Sequence, residues 1–433
     1  MSQKESLKIA IDVRVAPGES GGISQAVMSL VSGLGKLDDG SEEYSLVIRS
    51  SHQREWLAPH LGPNQQFIMR FKSQETSRPS LLKRTLSPVV RFLRNHLNTN
   101  QSRWPEVSLS NGFYESLGCS AIHFPTQNFT LCALPIIYNP HDIQHLHYPQ
   151  FFTPEVLAWR ETIYRAGCHF SNTVVVGSQW IKDDIVRHYR INPDKIQVIA
   201  ENPPTQLYTE PTEESLLKVK SKFDLKQPFA IYPAVTWPHK NHIPLLKAIA
   251  SVRDSRGLVI NLVCTGSLHE PHWPAIERCI NELNLQSQVK FLGFVSEDDL
   301  RAIFRLSDFL VQPTLFEASS LPIFEAWAEG VPVTCSNLTA LPDQVLDAAL
   351  LFDPGTVEAI ADAIARMATE NQLRQELRER GYRRLSDFDA ERTARAYRAV
   401  YRRAAGQMLS EEDRWLLEWD WMRKPQRVME ALL

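Results

Sequence analysis

The residues best equipped for chemistry lie between Leu315 and Ala326, which read Leu-Phe-Glu-Ala-Ser-Ser-Leu-Pro-Ile-Phe-Glu-Ala. Small residues Ala318, Ser319 and Ser320 precede Leu321-Pro322, and proline is favoured in the first turn of a helix. A helix that starts this way points unpaired backbone N–H groups, and its positive end, at whatever lies in front. A phosphate or diphosphate is a natural occupant of such a terminus. Glu317 falls in the loop before the helix and Glu325 within it. Glu325 could accept hydrogen bonds from a ribose diol; a carboxylate opposing the helix dipole explains the same residue equally well.

Two stretches of the first half carry further candidates. Gly18-Glu19-Ser20-Gly21-Gly22 follows an apolar run and opens a helical pattern through Leu34. Gly21 and Gly22 would let backbone approach a phosphate closely, although most Gly-Gly pairs are simply turns. Pro140-His141-Asp142-Ile143-Gln144-His145-Leu146-His147 holds three histidines. His141 and His145 are four apart, as on one face of a metal-binding helix. Asn139-Pro140 instead marks a strand end or turn, and the acids expected around such a metal are missing, so no metal site is expected.

The elements that must position these residues follow from an α/β pattern, in which short apolar runs alternate with longer amphipathic stretches. Strands are expected over 7–15, 121–124, 173–176 and 196–200 in the first half. In the second they are expected over 229–232, 258–264, 289–292, 309–311, 331–335 and 349–352. The loops carrying the candidates follow these strands, the end of an open α/β sheet where ligands bind. Glu201-Asn202-Pro203-Pro204-Thr205 cannot continue a helix and makes a semi-rigid connection. The expected division is therefore a first domain over 1–205, a second over 206–385, and helices over 386–433 packing back toward the first. Ser410-Glu411-Glu412-Asp413 reads as a capping box opening a last helix with Trp415, Trp419 and Trp421 nearby.

With 433 residues, 43% hydrophobic and 22% charged, the chain has an ordinary globular balance and room for two cores. Its formal net charge of −3 gives no global attraction to nucleic acid or membrane. The six cysteines form no C-x-x-C pair, and several sit in apolar runs, as in Leu262-Val263-Cys264; they read as reduced core thiols. No signal peptide or spanning segment is apparent, so a cytoplasmic protein is expected, with an inner-membrane-face association left open. That option rests on residues 70–104, an insertion in which Arg70, Lys72, Arg78, Lys83, Arg84, Arg91, Arg94 and Arg103 face a single acid, Glu75. Ser87-Pro88 would start a helix there with Val89, Val90, Leu93 and Leu97 on one side. Residues 78–97 would suit an anionic membrane or lipid-linked acceptor; packing on its own domain is an equal alternative.

Glu317 and Glu325, with the residues between and after them, resemble the Glu-x7-Glu signature of glycosyltransferase family 4. Glu329-Gly330-Val331-Pro332-Val333, Leu341-Pro342-Asp343 and Phe352-Asp353-Pro354 resemble the segments that follow it. Gly293-Phe294-Val295 resembles that family's base-binding loop, and Tyr232 through Asn241 its diphosphate loop. The resemblance implies a GT-B fold, two Rossmann-like domains across a cleft, and a retaining glycosyltransferase. It places Lys240 on the donor diphosphate, Glu325 on the ribose, Glu317 facing the transferred sugar and His141 beside that sugar. Gly21, Gly22, Thr236, Gly266, Phe294, Val295, Ser319, Ser320 and Leu321 are implied as further donor contacts, and His145 and His147 as acceptor-side contacts. The expected donor is a UDP- or GDP-sugar, the acceptor a glycan or lipid-linked molecule, with no permanent cofactor and no nucleic-acid partner.

Two departures stand out. Ala234 occupies a position where the family commonly has an arginine, and Ala318-Ser319-Ser320 replaces a glycine-containing loop. A sugar-nucleotide-binding scaffold without catalysis, or an epimerase or phosphorylase of the same fold, are the rival readings.

Overall fold

A computed structural model describes residues 6–15, 22–70, 105–202, 204–420 and 422, and all structural statements concern these. Gly21, Trp421 and all of the basic insertion except Arg70 lie outside them.

The first half builds a seven-stranded sheet. Its strands are β1 (Leu7–Asp12), β2 (Glu42–Ile48), β3 (Gln65–Met69), β4 (Ala121–Phe124), β5 (Ile136–Tyr138), β6 (Thr173–Val176) and β7 (Ile196–Val198). They lie in the order β3-β2-β1-β4-β5-β6-β7, and every pairing is parallel. The second half builds a six-stranded sheet from β8 (Phe229–Pro233), β9 (Asn261–Thr265), β10 (Val289–Phe291), β11 (Phe309–Gln312), β12 (Val333–Ser336) and β13 (Ala349–Phe352). Its order is β10-β9-β8-β11-β12-β13, again all parallel. In both sheets the chain runs outward from the first strand and then restarts on its other side. The crevice at that reversal is where ligands settle in such folds.

Strands buried on both faces read as continuous apolar runs, as Thr173–Val176 and Phe309–Gln312 do. Three strands of the seven-stranded sheet fall outside the expected set. Strand β2 opens on Glu42-Glu43 and β3, at the edge, on Gln65-Gln66, polar starts that hide both, and β5 is three residues long.

Helix Ala390–Ala404 lies against the first half. Ala394, Tyr397, Val400 and Tyr401 share one core with Ile9, Val31 and Leu46. Polar groups lock this joint. His123 Nδ1 meets Tyr401 Oη at 2.8 Å, its Nε2 meets Asn139 Oδ1 at 2.9 Å, and Asn139 Nδ2 donates to Tyr397 Oη at 2.9 Å. Burial pushes the His123 pKa down to about 4, so the network joins neutral groups. Ion pairs from Arg395 and Arg398 to Asp39, and from Arg402 to Glu42 and Asp413, fasten the same seam. Ser410 and Asp413 form the expected reciprocal capping box, and Trp415 and Trp419 pack on the first core. Five of the six free cysteines are buried. Among the described residues no helix is long and apolar enough to cross a membrane.

Candidate active site

The halves face each other across a cleft of about 820 Å³ whose wall includes Gly22, His141, Lys240, Gly266, Phe294, Val295, Glu317, Ser319, Ser320, Leu321 and Glu325. Residues distant in sequence are thus brought together. Thr236, His145 and His147 are not on that wall.

The second half supplies the more ordered side. Helix Leu321–Ala328 starts after Ser320, and no side chain caps it. Ser320 Oγ does not turn back to the helix; it donates to Gln312 Oε1 at 2.8 Å. Gln344 then clamps the Ser320 backbone, accepting its N–H and donating to its carbonyl, both at 2.8 Å. The first turn therefore keeps N–H groups for an incoming acceptor. The Ser319 hydroxyl is buried without a partner beside them. A buried unpaired hydroxyl is costly, and a ligand oxygen would relieve that cost.

Lys240 reaches the same place from the loop after β8. Its Nζ contacts Glu317 Oε1 at 2.5 Å, and Gln312 Nε2 donates to that oxygen at 3.2 Å. Leu315 N–H donates to the His239 carbonyl at 2.8 Å, which ties the two loops. Gly266 has φ of 109°, and a Cβ there would lie 2.7 Å from the Ala234 carbonyl carbon, so only glycine lets the loops after β8 and β9 pack together. Thr236 is fully buried, and its Oγ1 accepts the His269 N–H at 2.6 Å. The Thr236 side chain thus holds the loop from behind rather than facing the cleft.

Gly22 opens helix Gly22–Gly35 in the first half, and a Cβ at this position would stand 3.3 Å from Leu321 Cδ1 across the cleft. Next to it Gln25 Nε2 donates to Glu297 Oε1 at 2.8 Å, and Tyr208 donates to Gln25. Glu325 lies close to this group. Burial, and then the charge of Glu297, push its pKa up to about 7, against the opposing effect of Arg301. Arg301 itself is consumed by Glu329, with Nε to Oε1 at 2.6 Å, and by the Thr209 carbonyl. Sequence reasoning missed Gln25, Tyr208, Glu297, Gln312 and Gln344, because single polar residues in helices and turns carry no motif.

His141 has φ of 63° and points both ring nitrogens at acceptors: Nε2 at the Pro125 carbonyl, 2.9 Å away, and Nδ1 at Glu201 Oε1, 3.3 Å away. Burial disfavours its charge, but Glu201, the Pro125 carbonyl and Asp142 prevail, and its pKa is raised. With an acceptor oxygen facing each nitrogen, the arrangement favours the imidazolium, which donates from both nitrogens and has no lone pair left to take a proton.

The other two histidines find their partners within the frame of the first half, away from the cleft wall. His145 is buried, with Nε2 3.3 Å from Glu161 Oε2 and 3.4 Å from Tyr189 Oη. His147 Nε2 lies 2.8 Å from Asp184 Oδ2, and His188 Nδ1 lies 3.1 Å from Asp184 Oδ1. His147, Asp184 and His188 form the one metal-capable grouping among the described residues, with ligand atoms within 4.8 Å of one another. The pairing of His141 with His145 does not converge on a common point.

The model described as "Glycosyl transferases group 1" matches residues 213–384, and the one described as "Glycosyltransferase Family 4" matches residues 51–201. Between them they take in both walls of the cleft. The chain belongs to glycosyltransferase family 4. Among curated proteins it is 27% identical to O-antigen chain mannosyltransferase B of Escherichia coli, over 60% of the chain and 69% of the relative. It is 25% identical to O-antigen chain mannosyltransferase RfbU of Salmonella typhimurium, over 54% of the chain and 65% of the relative. A D-inositol 3-phosphate glycosyltransferase of Corynebacterium glutamicum is 24% identical over 63% of the chain and 67% of the relative. The chain thus spans about two thirds of the length of these relatives. The solved structure of Anabaena HepE in complex with UDP and glucose superposes with a TM-score of 0.64 at 16% identity, covering 91% of this chain and 99% of that one. WaaG, a glycosyltransferase involved in lipopolysaccharide biosynthesis, gives 0.62 at 14% identity, covering 92% and 100%. The fold is GT-B, and the family 4 transferase is a sugar-transferring enzyme by class.

Proposed function

We propose that this family 4 transferase moves a hexosyl group, with mannosyl as the first choice, from a nucleoside-diphosphate sugar to a hydroxyl of a growing surface glycan or glycolipid, retaining the anomeric configuration. The observation that carries this reading is the uncapped start of helix Leu321–Ala328 with Lys240 beside it on the same wall of the cleft. Helix N–H groups and an ammonium together neutralise a departing diphosphate without a metal. Gly22, and Gly21 before it, would complete the cradle from the opposite wall, with the Ser319 and Ser320 segment and Leu321 beneath the phosphates. Phe294 and Val295 would hold the base and Glu325 the ribose diol, with Gly266 giving the nucleotide close access to the backbone.

Glu317 and His141 would flank the transferred sugar. Glu317 is bound to Lys240 and Gln312, an arrangement that orients a hydrogen-bond acceptor rather than a free nucleophile. Front-face attack is therefore preferred: the acceptor hydroxyl approaches the side from which the diphosphate leaves, and a phosphate oxygen takes its proton. His141 would contribute positive potential. The named mannosyltransferase relatives support the choice of sugar, and the UDP complexes of fold neighbours support a nucleotide donor of this type. UDP and GDP remain the two bases to test. Association with an anionic membrane surface through residues 78–97 belongs to the same reading, since glycan acceptors are often lipid-linked.

The test is release of nucleoside diphosphate from a panel of UDP-, GDP-, ADP- and dTDP-sugars, with and without EDTA. EDTA-insensitive release from one donor is expected, with proton NMR of the product showing the donor's anomeric configuration. Donor binding with no release from any acceptor mixture would sink the catalytic reading in favour of a scaffold.

A further inference from the structure

Three Lys or Arg side chains line the cleft among the described residues: Lys240, Arg301 and Arg160. Lys240 is paired with Glu317, and Arg301 with Glu329. Arg160 differs. It rises from helix Pro154–Phe170 in the first half, with its guanidinium 4.5 Å from the Phe152 ring centroid and 5.6 Å from that of Tyr164. Its Nη1 is buried and makes no hydrogen bond. Its closest carboxylate oxygen, Asp142 Oδ1, is 3.7 Å away, beyond hydrogen-bond reach, and is already accepting the Gln144 N–H at 3.0 Å.

A buried guanidinium nitrogen without an acceptor costs free energy unless a ligand completes it. The aromatic platform fixes the fork in one plane, so little freedom is lost when an anion docks. The position also has a direction. Arg160 lies on the wall with Gln127, His141, Asp142 and Gln144, opposite the helix start that would take the donor diphosphate. Its charge reaches across to the half-buried His239 of the second half.

We infer that Arg160 forms an anion subsite on the acceptor wall, which takes the phosphate group of a phosphorylated or phosphate-linked acceptor. A planar guanidinium binds two phosphate oxygens at once, and the amides of Gln127 and Gln144 line the same cleft. The reading of the cleft as a transferase site supplies only the word acceptor. The anion subsite itself stands on the geometry of Arg160.

The test uses the full chain saturated with whichever of UDP or GDP it binds, titrated with inorganic phosphate and followed by phosphorus NMR line broadening. The expected result is saturable phosphate binding that weakens about tenfold or more in R160A and less in R160K. The nucleotide affinity of R160A should stay within about twofold of the unmodified protein. D142N, which removes the neighbouring negative charge, should tighten phosphate binding, an effect that loss of packing would not produce. Phosphate binding that is absent, or indifferent to R160A and D142N, would overturn the proposal. Loss of nucleotide affinity in R160A would also overturn it, because it would assign the arginine to the donor diphosphate. If no nucleoside diphosphate binds, the transferase reading fails, and the same titration of the nucleotide-free protein still decides on Arg160.

Discussion

The two walls of the cleft are built on opposite plans. On the second-half wall the polar side chains near the helix start, apart from the Ser319 hydroxyl, have partners inside the protein. Gln344 holds Ser320, Ser320 holds Gln312, Gln312 holds Glu317, and Glu317 holds Lys240. That chain fixes positions before any ligand arrives and leaves the backbone N–H groups as the free donors. The first-half wall has His141 locked by Pro125 and Glu201, while Arg160 is held by aromatic stacking and a long 3.7 Å ion pair with Asp142. Preorganisation thus sits where the leaving diphosphate would form, and unspent charge sits where the acceptor would enter. A site that must stabilise one recurring group gains from rigidity, whereas one that must select an acceptor gains from a single strong contact.

The sharpest way to break this contrast is at Lys240. K240A should lower turnover with the active donor by more than about a hundredfold, since the charge acts where the diphosphate leaves. Steady-state rates at saturating donor would show it. Near-normal turnover would mean that the helix start alone neutralises the leaving group, and the ordered wall would lose its central member.

Next in size is Q344A. Gln344 touches no proposed ligand group, yet it clamps the residue from which the helix starts. Removing it should cost about 1–3 kcal/mol of stability, because Ser320 N–H and C=O would be left buried and unpaired. Donor affinity should fall with it, by about tenfold. Thermal melting and nucleotide titration read the two effects separately. Loss of stability with unchanged affinity would show that the helix start does not need its clamp.

Glu325 tests the same wall through pH. Its folded pKa, raised to about 7, exceeds that of an ordinary unfolded glutamate. The folded state keeps the proton that the unfolded chain has already released, so stability falls as pH rises between the two values. Above about pH 7 the full penalty, of order 1–3 kcal/mol after screening by cleft water, is present. E325Q should therefore raise the melting temperature at pH 8 and leave it unchanged at pH 4, while weakening nucleotide binding by removal of the ribose acceptor. A destabilised E325Q at pH 8 would contradict the burial argument.

How far the sequence reveals these walls differs between them as well. The helix start at Ser319 to Pro322, the two glutamates and Lys240 are readable because helix-terminus chemistry and loop spacing are local. Central strands such as β6 and β11 are readable because burial on both faces leaves continuous apolar runs. Strands β2 and β3 are not, since their polar first residues imitate loops. The partners that fix the site are invisible for another reason: Gln344 lies 24 residues from Ser320, and Arg160 reaches the cleft only through the packing of helix Pro154–Phe170. The histidine stretch shows the opposite failure. Three close histidines suggest one joint purpose, but a left-handed backbone at His141 and a short helix at Gln144–His147 send their rings to three separate partners.

The smallest effect is expected at His147 and concerns that last point. Its ring contacts Asp184 and stacks near Trp180 and Phe316, so it braces the first half against a residue that lines the cleft. Asp184 is buried but keeps His188 as a second partner. H147A should therefore cost about 1 kcal/mol of stability, the scale of one hydrogen bond in a pair that is only partly replaced. Turnover should stay within about twofold. A melt and a rate measured on the same sample suffice. A tenfold fall in rate with an unchanged melting temperature would return His147 to the acceptor. The first-half wall would then hold a second contact besides Arg160, and its contrast with the donor wall would narrow.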